Sequence, residues 1–542
     1  MSSTPKPVVL LILDGWGIGP SNAGNAISRA TTPNIKKYSV AYPHTQLTAS
    51  GEGVGLPRGE DGNTETGHLN MGAGRIVYQD LPRINMSIAD GTFAANPVFT
   101  QAFDHAKRNK SALHLMGLVG SGGVHSNIEH LYALLLAAKA NNLTENVYLH
   151  LFTDGRDSPP TSAMSFIQQI QDHCTSVGVG VIATIMGRYY SMDRDKRWDR
   201  IQLAYDSLTA GSTATTSDPI AMVQQRYNSG ETDEFIKPIS VVGADGKPVV
   251  IRDNDAIIFY NFRIDRPREL TKAFVLPNFE SGISSEGFDP YTVKYSHTHI
   301  QQPAATQTFK RNIVLKNLFF VTMTEYERGL PTNIAFPPQI VEMPLGRVLA
   351  ERNVKQLRMS ETEKERFVSY YFNGLREDAF PGEDRIFIPS KKVATYDLAP
   401  EMSAREITDT LLEKLSSDIY DFMCVNLANA DMVGHTGNLT AGIKACEIID
   451  ECVGKIVQAV MLRGGVVLIT ADHGNAEEMI NNETGEIDTE HSTYPVPLLI
   501  IGNQFQNKAT MLPSGILADV APTILKLMNI PKPDNMTGRV LI

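Results

Sequence analysis

Four short apolar runs, each closing on an aspartate, constrain the fold of this chain more than any other feature. VVLLILD ends at Asp14, VYLHLFTD at Asp154, FMCVNLANAD at Asp431 and GVVLITAD at Asp472. Apolar runs of about four to eight residues, punctuated in this way, read as buried parallel strands. Helical patterns lie between them, at 128–140 and at 403–417, the second opened by Ser403 with Glu406 three residues on as in a capping box. Such alternation predicts an α/β architecture.

The 542 residues correspond to three or four domain-equivalents at about 150 residues each. Forty-nine basic and 60 acidic residues leave a net charge of −11, which argues against a nucleic-acid partner. The four cysteines, Cys174, Cys424, Cys446 and Cys452, form no CxxC pair and read as small core residues of a reducing compartment. The apolar stretches 8–13 and 132–138 fall far short of the ~20 residues that span a bilayer, and Asp14 interrupts any signal-peptide core. A cytoplasmic monomer without a membrane partner is expected.

Residues of strong chemical character fall at 14–68 and 431–491, with a separate group at 125–266. If the outer groups share one site, the middle is an inserted domain. The stretches 208–256 and 279–310 are polar without clear periodicity, and TEYERGLPTNIAFPP (324–338), with three prolines, reads as a linker.

Functional groups of an open α/β sheet gather beyond the carboxyl ends of its strands, so Asp14, Asp431 and Asp472 can converge. A strand-terminal Asp alone is usually a turn former. Here His435 follows Asp431 in ADMVGHTG, His473 follows Asp472 in TADHGN, and His491 opens HSTYPVPL. Carboxylate with imidazole suits Mn²⁺, Zn²⁺, Co²⁺ or Fe²⁺, whereas Mg²⁺ prefers oxygen ligands.

In DGNTETGHLNMGAGR (61–75), Thr64 and Glu65 occupy a glycine-rich turn before a predicted helix. Thr64 is there either a helix cap or a nucleophile at a site that favours negative charge. Three aspartates and a threonine alkoxide would balance two divalent ions, so a phosphate dianion needs further cations. Arg188 and Arg194 in GRYYSMDRDKRWDR, and Arg263 and Arg266 in NFRIDRPREL, supply groups suited to carboxylate or phosphate. Arg197 and Arg200, three residues apart, read as a solvated helix face. His125 in SGGVHS and the DGRD motif (Asp154, Arg156, Asp157) add polar groups in glycine-rich turns.

Taken together and in this order, DGNTETGHLNMGAGR, GGVHS, DGRD, GRYYSMDRDKRWDR, NFRIDRPREL, NADMVGHTG, TADHGN and HSTYPVPL resemble the cofactor-independent (2,3-bisphosphoglycerate-independent) phosphoglycerate mutases of the alkaline phosphatase superfamily. The resemblance runs from LLILDGWG to DVAPTILKLM. It implies an alkaline-phosphatase-like domain, 1–80 with 324–542, around a central mostly parallel sheet. That domain would be interrupted by an inserted α/β transferase domain, 84–323, with hinges near 79–83 and 324–338. One metal site would use Asp431, His435 and His491, the other Asp14, Thr64, Asp472 and His473, with Mn²⁺ expected ahead of Mg²⁺, Co²⁺ or Zn²⁺. The substrate residues would be His125, Arg156, Asp157, Arg188, Arg194, Arg263, Arg266 and, from SETEK, Lys364. Thr64, Asp157, Lys364 and Arg263 would carry the interconversion of 3-phosphoglycerate and 2-phosphoglycerate, through a phosphothreonine.

The chain departs from the family pattern in two places. Thr64 stands where members commonly carry Ser, and KERFVSYYFNGL (364–375) has Phe367 for a His and Leu375 for a Gly. Superfamily hydrolases are the main rival reading. No sulfatase C-x-P-x-R or S-x-P-x-R motif surrounds Thr64, and a simple phosphatase needs no arginine group to retain its product. A phosphopentomutase shares the Thr but is not expected to carry these arginine and SETEK motifs. A metal-stabilised scaffold without activity is the non-catalytic alternative, set against the complete set of ligand positions.

Overall fold

The computed structural model describes residues 5–281, 307–481, 484–506, 508 and 510–542. The chain divides into two compact units, Met1–Gln79 with Gln339–Ile542, and Asp80–Pro338. Each is α/β and is built on its own eight-stranded, mostly parallel sheet. Most of the polar stretch 279–310 lies outside the described residues. Among those described, no helix is long and apolar enough to cross a membrane.

In the first unit the sheet runs Glu383–Ile388, Gln356–Glu361, Phe422–Leu427, Val8–Leu13, Val466–Thr470, Val496–Gly502, His44–Thr48 and Gly515–Ile516. The first five strands are parallel, and Val496–Gly502 is antiparallel to both neighbours. Val8–Leu13 is buried along its whole length, as a strand covered on both faces must be. The helix Leu439–Leu462, capped by the Asn438 side chain, adds Ile449, Cys452, Val453 and Ile456 to this core. All four cysteines are free and buried.

Three local expectations change. The run toward Asp431 is not one strand, because the chain turns at Ala428 into the short helix Asn429–Gly434, which carries Asp431 in its first turn. That turn brings the Asp431 N–H 3.0 Å from the Asp14 carbonyl. The helix Ala404–Ser416 begins without a capping box, since Ser403 Oγ donates to Pro389 O and Glu406 pairs with Lys391. The segment 324–338 is part of the second unit and no linker. Asn333–Ile334 pairs with Phe319–Thr322, and Phe336 is buried against Phe93 and Phe99. The division between the two units falls between Gln79 and Asp80, inside the expected hinge at 79–83, and the helix Asp80–Ala89 starts there.

The second sheet runs Asn333–Ile334, Phe319–Thr322, Ala256–Phe259, Leu113–Val119, Val147–Thr153, Val181–Gly187, Ile239–Val241 and Ala214–Thr216. Only the pairing of Val181–Gly187 with Ile239–Val241 is antiparallel. The expected helix at 128–140 spans Ile128–Ala140, with Asn127 as its cap. A polar chain crosses the buried sheet: Asp255 Oδ2 to His114 Nε2 (3.1 Å), His114 Nδ1 to His150 Nε2 (2.8 Å), and His150 Nδ1 to Thr184 Oγ1 (2.9 Å). An ionised Asp255 can only accept, so His114 donates from Nε2, His150 donates to His114, and Thr184 donates to His150.

Burial holds the His130 imidazole down to about 3, and burial followed by the neighbouring His114 holds His150 well below the ordinary histidine range. Both histidines bind a proton near pH 6.5 only when unfolded, so stability is lost as pH falls below that value. At pH 5 the loss is about 2 kcal/mol for His130, and His150 acts in the same direction. Urea unfolding at pH 7 and pH 5 measures it, and His130→Gln is expected to shrink the difference between the two.

Candidate active site

Four adjacent parallel strands of the first unit, Gln356–Glu361, Phe422–Leu427, Val8–Leu13 and Val466–Thr470, end at the same edge of the sheet. Just beyond them come Lys364, Asp431, Asp14 and the pair Asp472–His473. Thr64 arrives from a different direction, as the first residue of the helix Thr64–Ala73. The cap of that helix is Asn63, whose side chain accepts the Thr66 N–H at 2.9 Å. The Thr64 hydroxyl is therefore free of capping, and lies 2.9 Å from His473 Nε2 and 3.2 Å from Lys364 Nζ.

Two sets of ligand atoms gather here, Asp14, Asp472 and His473 in one and Asp431, His435 and His491 in the other, each within 4.8 Å. His435 Nε2 and His491 Nε2 both stand 3.2 Å from Asp431 Oδ1, and His473 Nε2 is 3.6 Å from Asp14 Oδ1. In every case the other ring nitrogen faces a backbone carbonyl: His435 Nδ1 to Thr489 O (2.7 Å), His491 Nδ1 to Gly62 O (2.9 Å) and His473 Nδ1 to Gly474 O (3.1 Å). A carbonyl accepts only, so a neutral ring carries its proton on Nδ1 and turns the Nε2 lone pair inward. The Thr64 hydroxyl then donates to His473 Nε2 and accepts from Lys364.

Lys364 Nζ is 2.7 Å from both Asp14 Oδ1 and Asp431 Oδ2, so one ammonium pairs with two of the three buried carboxylates and acts on Asp472 only through its field. Burial pushes the Asp14 carboxyl up to about 7, Asp472 and Asp431 push it the same way, and Lys364 opposes them. Burial acts likewise on Asp431 and Asp472, but Lys364, with His435 and His491 when they donate from Nε2, outweighs it at Asp431, and His473 with His68 at Asp472, holding both low. Burial would lower Lys364, but the three aspartates hold it above the usual lysine range. The residues fit divalent cations: the charge is strongly negative, the donors are carboxylate and imidazole, and Asp472 Oδ2 is buried without a hydrogen-bond partner.

Other residues hold these groups in place and were not read from the sequence. Asn426 Nδ2 donates to Asp14 Oδ2 at 2.7 Å and lies 3.1 Å from His68 Nε2. His68 Nδ1 bonds the Thr64 carbonyl at 2.9 Å. Asn475 Nδ2 donates to Asp431 Oδ1 at 3.1 Å, and Glu477 accepts the backbone N–H groups of Gly17 and Asn475 and the Ser492 hydroxyl. A Cβ on Gly67 would meet the Asp472 carbonyl at 2.5 Å. The second departure from the family pattern falls on Phe367 and Leu375. The Phe367 ring centre is 5.2 Å from Lys364 Nζ and 5.8 Å from the His68 ring. Leu375 takes φ +70°, a left-handed conformation that costs a side-chain-bearing residue ~1–2 kcal/mol and is offset by packing on Val77 and Val341.

The second unit carries a different group. Arg188, 2% exposed, sits between Asp154 Oδ1 (2.6 Å) and Asp157 Oδ2 (2.5 Å). Asp154 also builds the DGRD turn, accepting Asp157 N at 3.1 Å and Ser158 Oγ at 2.8 Å. His125 Nε2 is 3.7 Å from Asp157 Oδ2, and burial, reinforced by Arg188, holds its imidazole down to about 4. Arg194 pairs with Asp265 at 2.9 Å, Arg263 with Asp265 at 3.2 Å, and Arg156 with Glu234 at 3.6 Å. Arg266 donates to Met192 O at 3.1 Å. Burial lowers Arg266 to about 10, with Arg188 and Arg194 acting the same way. Arg197 is exposed as expected, but Arg200 is not on a solvated face. It bonds Asp193 at 3.0 Å and lies 3.8 Å from the Tyr189 ring centre. Lys364, read among the substrate residues, belongs to the first unit.

Comparison with known proteins agrees over the whole chain. A sequence model described as the BPG-independent PGAM N-terminus matches residues 84–328. The 2,3-bisphosphoglycerate-independent phosphoglycerate mutase of Chloroflexus aggregans is 50% identical, covering 99% of both chains. An enzyme of that description from Moorella thermoacetica is 48% identical over 99% of this chain and 98% of its own. A crystal structure of Leishmania mexicana phosphoglycerate mutase at low cobalt concentration aligns with TM-score 0.58 and 28% identity, covering 100% of this chain and 98% of that one. The enzyme class is thus the phosphoglycerate mutases, which are isomerases. Within it, the chain belongs to the 2,3-bisphosphoglycerate-independent family.

Replacing Lys364 with Met removes the one ammonium shared by Asp14 and Asp431 and is expected to cost about 3–5 kcal/mol. Chemical unfolding in the presence of a chelator measures this. Adding Asp14→Asn in the same chain is expected to recover part of the loss, as coupled neighbours do.

Proposed function

We propose that the protein interconverts 3-phosphoglycerate and 2-phosphoglycerate through a phosphothreonine at Thr64, with two divalent ions and without 2,3-bisphosphoglycerate. One observation carries the reading: the Thr64 hydroxyl, relieved of capping by Asn63, stands between a donor, Lys364, and an acceptor, His473. Divalent ions, Mn²⁺ ahead of Mg²⁺, Co²⁺ or Zn²⁺, would be held by Asp14, Thr64, Asp472 and His473 and by Asp431, His435 and His491, and would activate the hydroxyl and offset phosphoryl charge. The low cobalt concentration of the Leishmania mexicana structure accords with such ions.

Thr64 Oγ attacks phosphorus in line and the ester oxygen leaves as a glycerate hydroxyl. The proton Thr64 gives up balances the one that hydroxyl takes. Lys364 donates to the transferring phosphoryl oxygens, where charge spreads in the transition state. In the second unit, Arg263 and Arg266, with Arg156, Arg188, Arg194 and His125, hold the acid that has lost its phosphoryl group. Burial would raise the Asp157 carboxyl, but Arg188 outweighs it, so Asp157 stays ionised and suits the base that deprotonates the accepting hydroxyl. Return of the phosphoryl group to that hydroxyl completes the isomerisation. We read Met1–Gln79 with Gln339–Ile542 as the phosphoryl-transfer unit and Asp80–Pro338 as the substrate unit of a cytoplasmic monomer.

The test is conversion of 3-phosphoglycerate without 2,3-bisphosphoglycerate, after chelation and on adding Mn²⁺ back. Chelation is expected to abolish activity and Mn²⁺ to restore it. Thr64→Ala is expected to lose at least about 1000-fold in kcat, while Thr64→Ser keeps the reaction. Undiminished activity in Thr64→Ala or after chelation overturns the mechanism, and inorganic phosphate as the sole product points to a hydrolase.

A further inference from the structure

Asp265 belongs to none of the substrate or metal sets above, yet three of their members converge on it. Arg263 comes from its own loop, beyond the strand Ala256–Phe259; Arg194 from the segment after Val181–Gly187; His125 from the loop after Leu113–Val119. The carboxylate is 14% exposed, whereas the arginines are 48% and 40% exposed. Two long, half-solvated side chains are thus tied to one largely buried acceptor. Burial would raise the Asp265 carboxyl, but Arg263, His125 and Arg194 outweigh it and keep it ionised.

The contact with His125 is the informative one. Asp265 Oδ1 and His125 Nδ1 are both buried, both lack a hydrogen-bond partner, and face each other at 3.7 Å. Arg263 Nε approaches Oδ1 at 3.2 Å as an ion pair without hydrogen-bond alignment. The two backbones are already joined, since Phe262 N and Arg263 N donate to His125 O at 2.9 and 3.3 Å. A small rotation of either side chain closes the Nδ1–H to Oδ1 bond. A neutral imidazole has one proton, so that bond leaves Nε2 as an acceptor on the Asp157 side.

We propose that Asp265 is a positioning residue of the substrate group, drawing Arg194 and Arg263 onto one carboxylate and fixing the His125 ring with its proton on Nδ1. The inference rests on the reading of these arginines as the substrate's anion site.

Asp265→Asn in the full-length, Mn²⁺-loaded enzyme is expected to raise KM for 3-phosphoglycerate about 10-fold, with kcat changed less than about threefold. Nitrogen-15 spectra of the His125 ring, assigned by loss of its signals in His125→Asn, are expected to show the Nδ1–H form in the unsubstituted enzyme and a changed form in Asp265→Asn. Asp265→Glu, which keeps the charge, is expected to restore part of both. An unmoved KM in Asp265→Asn, an Nε2–H ring in the unsubstituted enzyme, or an effect confined to thermal stability overturns the proposal. Arg266→Met separates the two levels. If it leaves KM unchanged, the anion-site reading itself fails; if it raises KM while Asp265→Asn does not, only the role of Asp265 fails.

Discussion

Three carboxylates buried around one ammonium set the terms for the first unit. Asp14, Asp431 and Asp472 cannot all ionise away from water without cations, because unpaired buried charge costs several kcal/mol per ion. Lys364 supplies one, and the inward lone pairs of His435, His473 and His491 offer no further positive charge while neutral. The surrounding hydrogen bonds make sense as responses to that excess. Asn426 and Asn475 donate to the carboxylates, and three backbone carbonyls fix the imidazole rings. The parallel sheet matters because it alone brings four strand ends, distant in sequence, to one edge.

The second unit reverses the sign of the problem. Its guanidinium groups would repel one another without Asp154, Asp157, Asp265 and Glu234 between them. Arg266 has no carboxylate within ion-pair distance among the described residues and lies under the field of Arg188 and Arg194. A small anion is the natural complement of such a group. The acidic net charge of the chain conceals this contrast, since it averages a carboxylate-rich centre with an arginine-rich one.

Much of this was legible in the sequence where local pattern and chemistry coincide. Asp14 and Asp472 follow uninterrupted apolar runs, so strand ends and acids are read together. The pattern alone places Asp431 at a strand end, because Ala428 and Ala430 prolong the apolar run into what is a helix. The ambiguity of Thr64 was resolved one residue earlier, by an Asn63 able to take over the cap. His68 and Asn426 act through partners far apart in the chain, and only the four-residue spacing of Thr64 and His68 hinted at a shared helix face. Asp265, flanked by arginines, reads as ordinary surface charge until folding brings Arg194 and His125 to it. The prolines of 324–338 suggested a linker, but Phe336 packs into a core that no local pattern reveals.

The position of Val8–Leu13 in the middle of the first sheet bears on biosynthesis. Its two hydrogen-bonded neighbours are Phe422–Leu427 and Val466–Thr470, so Val8 waits for Phe422 before either side can pair. At ~5–20 residues per second of translation, that wait is roughly 20–80 s. The intervening unit can complete its own core during that time, whereas VVLLIL is an apolar β-segment with no partner yet made. The nascent chain therefore exposes an aggregation-prone segment until its two partner strands have been made.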